Sequence, residues 1–374
     1  MLRERIQSEL DALHEKDQFR VLRELKSGDG LLNLSSNDYL GLAAMPELRE
    51  EFYKKLQDCP TDDTYALSSS SSRLLTGNHP GYPELEQALS EMYNDRAALV
   101  FNSGYHANIG ILPALSTKKD LILCDKLNHA SIIDGISLAD ADFKRYPHLD
   151  YDALANLLEK NSGKYENIFI ISESIFSMDG DAADLHRLVD LKGKYDATLI
   201  IDEAHSVGVF GETGCGLAEE QGVLDEIDII VGTFGKAFCS AGAYAIMDEA
   251  MRDYLINKMR SFIFTTALPP VVVNWSRFVL SKTIPMKKRR EHLLKISAKL
   301  RNGLKTIGDS QIVPLIVGEN AAAVALSEKL REAGLLVFPI RPPTVPAGTA
   351  RLRFSLTAAL TEEDIDKILD RITG

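Results

Sequence analysis

Residues 198–208, TLIIDEAHSVG, hold an apolar run that stops at an aspartate, Asp202, with His205 three residues further on. A run without polar alternation reads as a strand covered on both faces, and an acid at its end marks a strand terminus that faces chemistry. The same texture recurs at LILC (121–124), IFIIS (168–172), DIIVG (228–232) and AYAIM (243–247). Most of these runs are separated by stretches of helical periodicity, such as YDALANLLEK and LHRLVDLKGKY. Strands alternating with helices predict an α/β fold whose central sheet is mostly parallel and flanked by helices. In such sheets ligands gather beyond the carboxyl ends of the strands, so the residues just after each run are the candidates for function.

The texture changes after about residue 270. A long helical stretch through EHLLKISAKLRNGLKTI leads to short strands, IVPLIV and RLRFSL, and to a last helix for which Thr361 is a plausible N-cap. The expected organisation is an N-terminal helix and segment over 1–45, a large domain over 46–270 and a smaller α+β domain over 271–374.

Composition narrows the function. The chain has 45% hydrophobic and 26% charged residues and a net charge of -12, which suits a globular protein and disfavours a nucleic-acid partner. KKRR, from Lys287 to Arg290, is the one dense basic run and reads as a solvated helix face. No apolar stretch is long enough to span a bilayer, and MLRERIQSELDALHEK reads as an amphipathic helix without a signal-peptide core, so a cytoplasmic location is expected. Cys59, Cys124, Cys215 and Cys239 form no C-x-x-C pair and the histidines no H-E-x-x-H spacing, so no metal site is expected.

Polar residues then stand where an α/β sheet would use them. Glu173, Ser177 and Asp179 follow one run, His129 follows another, and Thr233 and Lys236 follow a third. A lysine set among glycines and small residues in VGTFGKAFCSAGAY (231–244) points to an amine kept out of water, whose lowered pKa suits Schiff-base chemistry. Pyridoxal phosphate needs such a lysine, a carboxylate for its ring nitrogen and donors for its phosphate. Asp202 supplies the carboxylate, and Ser103 and Gly104, ahead of the helix in NSGYHANIGIL (102–112), supply an anion seat. GETGCG (211–216) lacks the dinucleotide spacing, and FGKAF lacks the Ser or Thr of a P-loop.

The stretches LNLSSNDYLGL (32–42), NHASIIDG (128–135), FSMDGD (176–181), DEAHSVGVFG (202–211), TFGKAF (233–238) and RPPTVPAGTARLR (341–353) together resemble the α-oxoamine synthase family of fold-type I pyridoxal-phosphate enzymes. The resemblance implies an acyltransferase that condenses glycine with an acyl thioester and releases carbon dioxide. It also implies a homodimer with active sites shared between subunits. It assigns Lys236 to the covalent bond with the cofactor, Asp202 to the ring nitrogen and His129 to the ring face. Ser177 and His205 would lie near the phenolic oxygen. Gly104, Tyr105 and Thr233 would hold the phosphate, with Thr266 reaching over from the partner subunit. Asn37 would lie near the substrate, with Arg353 on the glycine carboxylate. Arg341 and Arg20 would recognise the far end of the acyl chain, a pimeloyl group, and Thr344 matches a substrate-binding position of the family. The acyl carrier is left open between coenzyme A and an acyl carrier protein, for which KKRR is the candidate patch. The acetyl-transferring members of the family are the alternative. SSSSSR (68–73) replaces the family's GSGGSR, which trades glycine freedom for serine and places the acyl pocket in question.

Overall fold

Seven strands form one sheet: β1 (Ala97–Phe101), β2 (Leu121–Asp125), β3 (Asp142–Tyr146), β4 (Ile168–Glu173), β5 (Thr198–Asp202), β6 (Ile229–Thr233) and β7 (Ala243–Met247), in the spatial order β1-β7-β6-β5-β4-β2-β3. This is a computed structural model, which describes residues 1–22, 24, 30–58 and 63–373. Cys59 lies outside the described residues. β2 to β6 pair in parallel, whereas β7 runs antiparallel to β1 and β6. The expected parallel sheet thus has one reversed strand. Its cause is the link from β6 to β7, residues 234–242, which is shorter than the dozen or so residues that a parallel crossover requires.

The five strands expected from the sequence are present, and two were not foreseen. DFKRY forms β3, an edge strand whose side chains are mostly exposed and charged, so it carries no apolar signature. AALVF forms β1 at the other edge. β2, β4, β6 and β7 are buried along their whole length. Alternate residues, including Ile122, Cys124, Phe169, Ile171, Ile200 and Val231, pack against Ile111, Leu112, Ile132 and Ile136 of helices Gly104–Leu115 and Ala130–Leu138. Each such aliphatic side chain contributes on the order of 1.5–3 kcal/mol. The two helices approach closely at Gly135, where an added Cβ would lie 2.3 Å from the carbonyl oxygen of Asn108.

This sheet and its helices make up one unit, residues 38–176 and 182–291; the other unit comprises 1–37, 177–181 and 292–374. The division expected from the sequence is at 270/271. Helix Pro270–Thr283 packs on helix Gly81–Met92 and stays with the sheet, and the boundary falls inside helix Lys287–Leu304. The second unit joins the two chain ends because strand Leu32–Asn33 pairs in parallel with Leu335–Leu336. Its antiparallel sheet sets Ala350–Ser355 between Ile312–Gly318 and Pro339–Ile340. Its last helix, Glu362–Thr373, starts as expected: the Asp364 N–H donates to Thr361 Oγ1 (3.2 Å), and the Thr361 N–H donates back to Asp364 Oδ2 (2.9 Å). Among the described residues no helix is long and apolar enough to cross a membrane.

The serine loop keeps a glycine-like path. Ser70 holds φ +49°, its N–H donating to Ser68 Oγ (3.1 Å), while buried Ser69 donates to the Leu268 carbonyl (2.6 Å). Arg73 lies over the Tyr82 ring, 4.1 Å from its centroid, and donates from Nη1 and Nη2 to the two oxygens of Glu86. A left-handed serine costs roughly 1–2 kcal/mol, which the extra chain entropy of glycine offsets in part. Ser70→Gly is therefore expected to raise stability to unfolding by about 0.5–1 kcal/mol, read as a higher denaturant midpoint at unchanged slope. An unchanged or lower midpoint would show that Ser70 is unstrained.

Candidate active site

The β6–β7 link explains the lysine. The Phe234 N–H donates to the Gly242 carbonyl (3.0 Å), the Ser240 N–H to the Phe234 carbonyl (2.9 Å) and the Cys239 N–H to the Lys236 carbonyl (2.9 Å). Phe234, Ala237 and Phe238 are buried and anchor the loop, which leaves Lys236 half-buried with Nζ 2.8 Å from His205 Nε2. His205 Nδ1 lies 2.6 Å from the Tyr39 hydroxyl, and both of these residues are buried. Lys236 thus ends on an imidazole rather than in solvent.

Asp202 closes β5 directly beside Glu173 at the end of β4. Its Oδ1 accepts the Ala204 N–H (2.9 Å), and its Oδ2 accepts from Asn108 Nδ2 (2.7 Å). An ionised carboxylate has about four acceptor sites, so capacity remains for a further donor. Glu173 accepts the backbone N–H of His129. Burial, with the Asp202 charge second, pushes the Glu173 carboxyl well above its usual range.

His129 caps helix Ala130–Leu138, its Nδ1 accepting the Ser131 N–H (3.3 Å) and lying 2.7 Å from Ser131 Oγ. Part of the residue is exposed, but loss of solvation around the ring pulls its pKa below the ordinary value; Asp202 opposes this and Lys236 assists it. At the start of helix Gly104–Leu115, Ser103 accepts the His106 N–H on its hydroxyl (3.2 Å) and the Ala107 N–H on its carbonyl (3.2 Å). Among the described residues this leaves the Gly104 and Tyr105 N–H groups for an outside acceptor, and an added Cβ at Gly104 would meet open space. The Tyr105 hydroxyl donates to Asp134 (2.5 Å). Thr233 uses its hydroxyl as a clasp, donating to the Gly242 carbonyl (3.1 Å) and accepting the Gly235 N–H (3.2 Å). Thr266 is exposed, and its carbonyl accepts from Asn102 (2.6 Å).

The other unit gathers the remaining expected residues. Arg353, at 8% exposure, donates from Nη1 to Asn37 Oδ1 (3.2 Å) and Ser355 Oγ (2.6 Å), and from Nε to the Ser177 carbonyl. Ser177 and Asn37 thus enter this unit as partners of a buried guanidinium. Arg20 donates to Thr344 Oγ1 (2.9 Å), while Arg341 donates to the carbonyls of Asp17 and Phe19. Arg20, Arg341 and Thr344 line a cleft of about 430 Å³ with Val21, Leu22 and Phe338. Two guanidinium groups above apolar walls fit a carboxylate at the end of an aliphatic chain.

Sequence reasoning missed Asn108 and Ser131, which tie Asp202 to His129. The available signal was a lone carboxamide on the apolar helix segment HANIGIL. Glu203 was also unassigned. It is buried and accepts the N–H groups of Leu217 (3.0 Å) and Ala218 (2.8 Å) and the hydroxyls of Ser174 (2.9 Å) and Ser206. Burial pushes its carboxyl from 4.5 up to about 7. A carboxyl with a raised folded-state pKa binds its proton more tightly in the native state. Its contribution is full below pH 4.5 and is lost as the pH rises through 7. The melting temperature of the wild type, relative to that of Glu203→Gln, is therefore expected to fall between pH 5 and 8; a flat difference would contradict the assignment.

An amine and a carboxylate at the ends of neighbouring strands, an imidazole and a helix start with open N–H groups form the donor set that pyridoxal phosphate requires, so the residues present fit that cofactor. Comparison with known proteins agrees with this chemistry. The model of the family "Aminotransferase class I and II" matches residues 29–372. An 8-amino-7-oxononanoate synthase from Chlorobaculum parvum is 53% identical over 98% of this chain and 97% of its own. Among solved structures, serine palmitoyltransferase from S. paucimobilis with bound PLP is similar at a TM-score of 0.88 and 29% identity, covering 98% of this chain and 95% of that one. The 8-amino-7-oxononanoate synthase of Francisella tularensis is similar at a TM-score of 0.76 and 29% identity, over 92% and 97%. With Lys236, Asp202 and His205 set at the strand ends of such a sheet, the chain belongs to the aminotransferase class I and II family, among its α-oxoamine synthases.

Proposed function

We propose that this chain is a pyridoxal-phosphate-dependent acyltransferase of biotin biosynthesis. It condenses glycine with a pimeloyl thioester, giving 8-amino-7-oxononanoate, carbon dioxide and the free thiol. The observation that carries the reading, beyond the likeness to synthases of that name, is the cleft lined by Arg20, Arg341 and Thr344. An acetyl-transferring relative would have no distal carboxylate to bind there.

When bound, pyridoxal phosphate supplies a carbonyl for amines and a ring that accepts electron pairs from Cα. Lys236 would hold the cofactor covalently, and its amine is the group that would take the α-proton of glycine. Asp202 would hold the proton on the ring nitrogen, His129 would take the ring face, and the family resemblance assigns His205 and Ser177 to the phenolic oxygen. The N–H groups of Gly104 and Tyr105 would take the phosphate, joined by Thr233 once its hydroxyl turns from the Gly242 carbonyl. Arg353, steadied by Asn37, pairs with the glycine carboxylate. Once the new carbon–carbon bond has displaced the thiol, the β-keto acid loses that carboxylate as carbon dioxide.

The assembly is a homodimer in which Thr266 completes the partner's phosphate site. Exposed Leu67, Leu74, Leu75, Tyr105 and Phe264 on the larger unit support that reading, being apolar surface that a second subunit would cover. The enzyme works in the cytoplasm and accepts its acyl group from coenzyme A or an acyl carrier protein. The basic run from Lys287 to Arg290 offers little to such a carrier, because Lys287 pairs with Glu212 and Arg290 is buried against the Glu212 and Thr283 carbonyls.

The test is thiol release with glycine and a series of acyl-coenzyme A donors. Pimeloyl-coenzyme A is expected to outrun heptanoyl- and acetyl-coenzyme A, and preference for acetyl would replace this reading with a glycine acetyltransferase. A charge-assisted hydrogen bond is worth about 1.5–3 kcal/mol, so Arg341→Ala is expected to raise KM for pimeloyl-coenzyme A by about 10–100-fold. KM for heptanoyl-coenzyme A should barely move; an equal rise for both would mean that Arg341 does not read the carboxylate.

A further inference from the structure

We propose that Asn108 is a positioning residue for this reaction: its carboxamide orients the Asp202 carboxylate and, through Ser131, fixes the tautomer of His129. The inference rests on the pyridoxal-phosphate reading of the site and extends it to Asn108 and Ser131.

Asn108 is 5% exposed on helix Gly104–Leu115, beside Ala107, Ile111 and Leu112. A carboxamide in that setting is costly unless its N–H groups are used. Both are used: Nδ2 lies 2.7 Å from Asp202 Oδ2 and 3.0 Å from Ser131 Oγ. Turning the amide over would set its oxygen against a carboxylate oxygen, so Asp202 itself fixes the orientation. Ser131 Oγ accepts there, and its own proton points to His129 Nδ1, 2.7 Å away. The backbone N–H of Ser131 donates to the same ring nitrogen (3.3 Å). A nitrogen that accepts a backbone N–H carries no proton, so the ring is neutral and its hydrogen sits on Nε2. The chain of donors runs one way, from Asn108 to Asp202 on one side and from Asn108 through Ser131 to His129 on the other. The lowered pKa of His129 agrees with a neutral ring. The close packing at Gly135 that brings the two helices together keeps these partners in reach.

Two consequences separate positioning from simple core filling. Asp202 receives a fixed donor on Oδ2, which holds the carboxylate in one orientation toward the ring nitrogen. His129 presents an N–H, so it acts as a donor and not as a base.

The test uses the protein loaded with ¹⁵N-labelled cofactor and labelled with ¹⁵N-histidine, with His129 assigned by its loss in His129→Gln. The wild type is expected to show a neutral His129 with hydrogen on Nε2 and a protonated ring nitrogen on the cofactor. Ser131→Ala should disturb the His129 pattern and leave the cofactor nitrogen unchanged. Asn108→Ala should move the cofactor nitrogen toward its unprotonated signal and lower kcat by about 10–100-fold, with KM for glycine within about 3-fold. A charged His129, hydrogen on Nδ1 in the wild type, or Asn108→Ala with both the wild-type nitrogen signal and kcat would overturn the proposal. If Asn108→Ala does not fold, the wild-type imidazole pattern decides, and that pattern is also readable without cofactor. Failure of the wild type to bind pyridoxal phosphate would sink the functional reading instead.

Discussion

Lys236→Ala is expected to abolish turnover, with a loss of about 10⁴-fold or more, while leaving the fold intact. The loop around it is anchored by Phe234, Ala237 and Phe238 and by its own backbone hydrogen bonds, none of which uses the lysine side chain. Alanine removes the contact with His205 Nε2 and leaves the backbone bonds of the loop in place. Two functions are lost together. The covalent hold on the cofactor disappears, and so does the amine that removes the α-proton, a step worth about 10²–10⁴ by itself. The variant should melt within a few degrees of the wild type and lack the absorbance of covalently held cofactor. Retention of more than about one per cent of kcat would mean that another group removes the proton.

The second large effect is expected at Asp202. Asp202→Asn keeps the shape of the side chain at the end of β5 and removes the charge, so the loss reads electrostatics rather than packing. Removing one preorganised partner of a developing charge costs about 10²–10³ in kcat, and that range is expected here. The neighbouring Glu173 is not a substitute, because burial and its place beside Asp202 disfavour its ionised form. Burial, the larger cause, remains when Asp202 is removed, so adding Glu173→Gln to Asp202→Asn should change kcat little further. Measurement of kcat together with cofactor affinity separates a chemical loss from a binding loss; a fall below 10-fold would remove Asp202 from the central role given to it.

The sequence was most legible where apolar texture is strongest. β2, β4, β5, β6 and β7 appear because their residues are buried on both faces, and the acids and lysine at their ends lie where an α/β sheet collects chemistry. β3 was invisible because an exposed edge strand of Asp142, Lys144 and Arg145 has no reason to look apolar. The direction of β7 depends on the length of the link after Lys236, which a run of apolar letters does not disclose. The tie between the chain ends was illegible for a similar reason: pairing of Leu32–Asn33 with Leu335–Leu336 joins segments about three hundred residues apart, and local texture carries no trace of that. In the site, Lys236, Asp202, His205 and His129 stood out as polar residues after strands. Asn108 and Ser131 did not, because a buried carboxamide declares itself only through its partners. The serine loop looked like a departure in composition, yet Ser70 takes the backbone path that glycine would have taken.

The central claim is a decarboxylative condensation, and carboxyl-labelled glycine tests it directly. Wild-type protein loaded with pyridoxal phosphate and supplied with pimeloyl-coenzyme A should release the label as carbon dioxide in step with free thiol, one for one. Label retained in the amino-acid pool, with transfer of the amino group to a keto acid and no thiol release, would contradict it.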